Sequence, residues 1–185
     1  MASGTVVDMP TTPPNGDVLY EVVNGEYREL PPMGAFEVSL AKILLVAMDN
    51  FGLSKGLGEA YGEMLFLLDA AKKLERRPDV AFVSYQRWPK GKRVPQSAAW
   101  PVVPNLAAEV ISPSNSWNEI VEKIADYFRT GVELVWVVSP TTEQVYVYTA
   151  PNANSILDRT EALDGGIVLP GFALPLSQLF GSQVS

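Results

Sequence analysis

After residue 16 the apolar and polar positions of the chain fall into short strands interrupted by two helices. Val18 to Val23 and Glu26 to Leu30 flank Asn24-Gly25, the pair best suited to a two-residue type I′ turn, so this stretch predicts a hairpin. Phe36, Leu40, Ile43, Leu44, Ala47, Met48 and Phe51 recur at helical spacing and predict a helix over 35–50. Apolar runs at 62–68, 79–84 and 106–111 predict three strands. Ser116-Trp117-Asn118-Glu119 matches a capping box, in which the serine accepts from a free backbone N–H and the glutamate reaches back; a second helix over 117–130 follows, ended by Gly131. Strands at 132–138 and 144–149, a short strand at 167–169 and a last turn at 176–180 complete the pattern. Residues 1–16, rich in proline, threonine and glycine without periodicity, predict a flexible tail, and no internal repeat divides 17–185, which is expected to form a single domain. The order of elements predicts an α/β (α+β) fold, a mixed sheet with helices packed against it.

One position breaks this pattern. Glu109 is enclosed by Leu106, Ala107, Ala108, Val110 and Ile111, and a carboxylate in a strand covered on both faces needs a partner. Arg76-Arg77-Pro78-Asp79 leads into the preceding apolar strand, so Asp79 and Glu109 are presented by neighbouring core strands. Two such carboxylates can hold a divalent metal and repel each other without a cation or a shared proton. A bare ion pair of Glu109 with a buried lysine is the plainer reading.

Composition narrows the chemistry. The 185 residues, 47% of them hydrophobic, suffice for one core. There is no cysteine and no histidine, which excludes disulfides, thiolate and imidazole metal sites, and every mechanism that needs an imidazole base. Carboxylates, lysines and hydroxyls remain, and an oxygen-ligand set favours magnesium or manganese over zinc or copper. No stretch is long enough to span a membrane and no signal-peptide pattern is present, so a soluble cytoplasmic protein is expected. The net charge is −7, yet residues 72–93 carry eight basic side chains against two acidic ones. Local charge decides where a phosphate backbone could lie.

Tyr20-Glu21-Val22-Val23-Asn24-Gly25-Glu26, Arg77-Pro78-Asp79-Val80-Ala81-Phe82-Val83-Ser84, Glu109-Val110-Ile111-Ser112-Pro113-Ser114-Asn115-Ser116, Lys123-Ile124-Ala125-Asp126-Tyr127, Gly131-Val132, Val135-Trp136-Val137-Val138 and Pro170-Gly171-Phe172 resemble, in order and spacing, the Uma-type family of bacterial restriction-endonuclease-like proteins. The resemblance covers Tyr20 to Phe180. It implies the PD-(D/E)XK nuclease superfamily: a restriction-endonuclease-like mixed sheet flanked by helices, a carboxylate site around magnesium or manganese, and DNA phosphodiester hydrolysis. The family's Pro-Asp aspartate corresponds to Asp79 and its second acidic residue to Glu109. Where the superfamily pattern places a lysine two positions later, this chain has Ile111, and the family's substitute from the next helix corresponds to Lys123. Relatives tend to carry a His-Glu pair at the start of the first helix, and this chain has Phe36-Glu37, which leaves Glu37 as a further metal ligand.

On this reading Asp79, Glu109 and Lys123 are catalytic, Asp79, Glu109 and Glu37 hold the metal, and Lys72, Lys73, Arg76, Arg77, Lys90, Lys92 and Arg93 contact DNA. The alternative is a nuclease fold that has lost activity and serves as a binding or interaction module. Each residue also has a structural reading: Lys123 as a helix-surface partner of Glu119, Glu37 as a charge on a helix dipole, and Lys72 to Arg77 as a solvated turn. Trp88 and Trp100 either stack on bases or pin their loop to the core, and Glu21 and Glu26 are expected to face solvent. A homodimer is the expected assembly.

Overall fold

The computed structural model describes residues 18–112 and 115–181. The predicted tail at 1–16 and the Pro113-Ser114 part of the segment before the second helix lie outside the described residues. The hairpin forms as predicted, β1 (Tyr20–Val23) and β2 (Glu26–Glu29), with Asn24 and Gly25 at φ 55° and 84°, both in the left-handed region that a type I′ turn demands. The first helix, α1 (Ala35–Lys55), runs five residues beyond its predicted end. Gly52 lies inside it because Phe82 and the Gly58 carbonyl press so closely that a Cβ would meet them at 2.5 and 2.8 Å. Gly56, at φ 65°, ends it as a left-handed cap.

The run predicted as one strand at 62–68 is two, β3 (Gly58–Gly62) and β4 (Phe66–Asp69), and they belong to different sheets. Glu63, between them, has φ 48°, which turns the chain out of β3. β5 (Leu74–Arg76) follows, inside what the sequence presents as a charged cluster. Then come β6 (Val80–Ser84), β7 (Leu106–Val110), α2 (Trp117–Thr130), β8 (Leu134–Ser139) and β9 (Gln144–Ala150), each within two residues of its predicted start. β10 (Ala153–Leu157), β11 (Ala162–Asp164), β12 (Ala173–Pro175) and α3 (Leu176–Leu179) complete the chain; residues 167–169 form a turn where a strand is predicted.

The central sheet has the order β10-β9-β8-β7-β6-β3 and is mixed: β7 and β8 are parallel, every other pair antiparallel. Even-numbered residues of β6 and β7, such as Val80, Phe82, Leu106 and Ala108, pack with Leu40, Leu44 and Met48 of α1. Odd-numbered ones, such as Ala81, Val83 and Ala107, pack with Ile120, Ile124 and Tyr127 of α2 and with the second sheet, β2-β1-β5-β4. Period-two alternation thus assigns each residue to one of two cores, and each large apolar side chain buried there contributes roughly 1.5–3 kcal/mol. Glu109 and Glu21 share the α2 side with these odd-numbered residues by the same parity, which brings two carboxylates into a core.

Candidate active site

β6 and β7 pair with Val80 opposite Ala108, so one step further along the register Asp79 meets Glu109. Asp79 Oδ2 accepts the Val110 N–H at 2.6 Å, which ties the end of β7 to the Pro-Asp segment. α2 crosses this end of the sheet. Its capping box is made as predicted: Ser116 accepts from the Glu119 N–H, and the Glu119 carboxylate accepts from the Ser116 N–H at 2.9 Å. Glu119 is thereby committed to the helix start, and Lys123 is not its surface partner. Lys123 lies within the buried stripe of α2 with Ile120, Ile124 and Tyr127, whereas Val121 is exposed.

The Lys123 ammonium lies 2.9 Å from Glu109 Oε2 and 3.1 Å from Glu21 Oε1. Tyr127, one turn on, donates its hydroxyl to Glu109 Oε1 at 2.5 Å. Arg76 joins the same network: it donates to Glu21 at 2.8 Å, meets Asp126 at 2.5 Å and Glu122 at 3.2 Å. Glu21 also accepts the Arg77 N–H at 2.9 Å. The relative exposures are 2% for Glu21, 2% for Arg76, 4% for Glu109 and 8% for Lys123, so these charges interact with little solvent screening.

Two sequence expectations are corrected here. Glu21 does not face solvent, because the β1 alternation that buries Val23 buries Glu21 on the same side. Arg76 is not a surface contact for nucleic acid, because it is itself buried, alternates with buried Leu74 and is held inside the fold by Glu21 and Asp126, with half-exposed Glu122 beside it. Glu21, Glu122, Asp126 and Tyr127 are the members of this network that sequence reasoning missed. The apolar face shared by Glu21 and Val23, and the helical spacing of Tyr127 from Lys123, are the signals that could have found them.

Burial and the neighbouring charges set the proton affinities. Burial, reinforced by Glu109 and Glu63, pushes the Asp79 carboxyl up to about 7, against the pull of the Val110 N–H and Lys123. Glu109 is also raised, because burial outweighs Lys123 and the Tyr127 hydroxyl. Glu21 is lowered: Lys123, Arg76 and the Arg77 N–H together overcome its burial. Lys123 is raised by Glu109 and Glu21 despite burial and remains an ammonium at neutral pH.

A cleft of about 40 Å³ opens at this point, lined by Asp79, Glu109, Lys123, Glu63 and Arg77, among others. Arg77 spans its edge, with its guanidinium on the carbonyls of Tyr20 at 3.2 Å and Glu63 at 2.5 Å. The donor set fits a hard divalent cation. All candidate ligands are oxygens, the space admits an ion with water, and burial together with Glu109 raises the Asp79 carboxyl, a cost that a bound cation would offset. Among the described residues no group of three or more acidic side chains is placed to hold a metal ion.

The remaining site expectations lie elsewhere. Glu37 is not among the residues lining the cleft; its carboxylate turns back over Gly34, where a Cβ would meet it at 2.3 Å. Lys72 and Lys73 are exposed at the β4–β5 turn, a strand's length from Arg76. Lys90, Lys92 and Arg93 are exposed in the loop that leaves the far end of β6, five residues or roughly 17 Å from the Asp79 end. Trp100 is buried between Tyr61 and Phe66 and pins the loop, and Trp88, half-buried, meets it edge-to-face at 5.2 Å. No helix among the described residues is long and apolar enough to cross a membrane.

Comparison with known proteins bears on the fold and the family. No curated protein matches the sequence. The fold is similar to the crystal structure of a protein from Anabaena variabilis ATCC 29413 described as a "putative nuclease belonging to DUF820", with a TM-score of 0.77 over 90% of this chain and 92% of that one at 16% identity. The family model described as "Uma2: Putative restriction endonuclease" matches residues 6–177, a span that includes the hairpin with Glu21, the Pro78-Asp79 entry to β6, Glu109 and Lys123. The chain therefore belongs to the Uma2 family.

Proposed function

We propose that the protein is a metal-dependent endonuclease that hydrolyses DNA phosphodiester bonds, with Asp79 and Glu109 holding magnesium or manganese. The observation that carries this reading is the position of Lys123. Ile111 leaves the strand without its expected lysine, and α2 instead delivers an ammonium to 2.9 Å from Glu109, inside the cleft that Asp79 lines. Bound magnesium would supply Lewis-acid polarisation of the phosphoryl group and a more acidic water. Lys123, held charged by two carboxylates, acts as a fixed hydrogen-bond donor to a phosphoryl oxygen and is unsuited to be the base. Tyr127 fixes the orientation of Glu109, and the Arg76–Glu21 pair fixes that of Lys123. Arg77 at the cleft edge places a second cation where a flanking phosphate would lie.

A second reading, a nuclease fold that binds without cutting, is favoured by one observation: both oxygens of Glu109 already accept a hydrogen bond, from Lys123 and Tyr127. Incubation of supercoiled plasmid and of single-stranded DNA with magnesium or manganese separates the two. The nuclease reading predicts cleavage by wild type, none by Asp79→Ala, and a loss of at least about a hundredfold in Lys123→Met. Folded wild-type protein that cuts neither substrate with either metal would overturn it.

A further inference from the structure

The basic loop after β6 builds a second cavity that the cleft chemistry does not use. About 170 Å³ is enclosed by Tyr61 and Glu59 of β3, by Tyr85, Trp88 and Lys92 of the loop, and by Trp100. Its walls are aromatic. Tyr61 and Trp88 each stand edge-to-face with Trp100, at 4.9 and 5.2 Å between centroids. Its carboxylate is oriented: Glu59 accepts the Tyr61 and Tyr85 hydroxyls at 3.0 Å each, one on each oxygen, so every oxygen keeps a second lone pair for another donor. Buried Trp100 keeps an indole N–H with no hydrogen-bond partner among the described residues.

The cations around this cavity decide which ligand suits it. Lys92 places its ammonium 3.8 Å from the Trp88 ring centroid, Lys90 lies 5.6 Å from that of Tyr85, and Arg93 is exposed beside them. An organic cation would enter against the Lys92 and Lys90 ammonium groups. A flat, uncharged ring carrying an anionic group satisfies both features, with the ring in the aromatic pocket and the anion on the lysines. We infer that the Glu59–Tyr61–Tyr85–Trp88 pocket binds a nucleobase together with its adjoining phosphate. The base takes the place of the Lys92 ammonium on Trp88, that ammonium moves to the phosphate, and Glu59 accepts from an exocyclic amino group. Cytosine, adenine and guanine offer that group and thymine does not.

The pocket also has a spatial relation to the cleft. Glu59 and Tyr61 line the pocket and Glu63, just beyond the end of the same strand, lines the cleft, so the two lie roughly 13 Å apart along one sheet edge. One extended strand can reach both. Binding in the pocket nevertheless stands apart from cleavage in the cleft, and the two fail separately.

The test is fluorescence anisotropy of a labelled oligodeoxycytidylate with the full chain in EDTA, with dCMP and dTMP as competitors. Wild type and Trp88→Phe bind alike, whereas Trp88→Ala weakens binding roughly ten- to hundredfold. Oligodeoxycytidylate is preferred over oligothymidylate, and Glu59→Gln removes the preference. Competition by dCMP identifies a free-nucleotide site; its failure to compete while the oligomer binds identifies a site for a base within a strand. Should circular dichroism show that Trp88→Ala is unfolded, Tyr85→Ala serves as the pocket variant. Absence of binding to wild type, or binding unchanged in a folded Trp88→Ala or Tyr85→Ala variant, overturns the inference.

Discussion

Two groups of carboxylates share one end of the central sheet and are treated differently. Glu21, Glu122 and Asp126 are met by Arg76, Arg28, Lys123 and Arg129, with at least one guanidinium or ammonium on each. Asp79 receives a single peptide N–H and faces Glu109 and Glu63. The consequence is visible in their proton affinities, lowered at Glu21 and raised to about 7 at Asp79. A closed network of this kind fixes geometry, here that of Lys123. An open corner with surplus negative charge is where a cation can be seated and chemistry done.

Breaking the closed side has the largest effect. Arg76→Met leaves Glu21 and Asp126 buried without their shared guanidinium, and the expected loss is about 3–5 kcal/mol in chemical denaturation at neutral pH. A loss below about 1 kcal/mol would show that the network is not a structural unit. The open side gives a smaller change of opposite sign. Folded Asp79 keeps its proton up to about pH 7, whereas an unfolded aspartate releases it near 3.8, so between these values the folded state binds more protons and stability falls as pH rises. Asp79→Asn removes that dependence. At pH 8 the variant is expected to be more stable than wild type by about 2–4 kcal/mol, with the gap closing as pH falls towards 4. Parallel stability curves for the two proteins from pH 4 to pH 8 would contradict the assignment.

The contrast also explains what the sequence disclosed. The hairpin, α2 and the strands β6 to β9 were legible because local signals agree with the fold: Asn24-Gly25, the Ser116–Glu119 box, Gly131 and unbroken apolar runs. The division of 58–69 into two strands was not, because it depends on Glu63 adopting a positive φ without a glycine. The length of α1 was obscured by Gly52, a poor helix former kept there by the close approach of Phe82. In the site, Glu109 was legible as a charge among apolar neighbours and Asp79 as the acidic head of the adjoining strand, whereas Lys123 followed from the family resemblance and not from the pattern. Glu21 and Arg76 were hidden by their settings, a two-stranded hairpin and a run of basic residues, which look solvent-exposed until the second sheet covers them. That the loop cations Lys90, Lys92 and Arg93 sit at the far end of β6 from Asp79 was within reach of the sequence, since the strand predicted over 79–84 lies between them.

The most direct test of the open corner is a thermal unfolding series of wild type and Asp79→Asn at pH 8 with increasing magnesium chloride and sodium chloride as the ionic-strength control. A cation held by Asp79 and Glu109 stabilises wild type by about 1.4 kcal/mol at ten times its Kd and leaves Asp79→Asn unmoved. An equal rise in both proteins, or none in either, would contradict the presence of a metal site there.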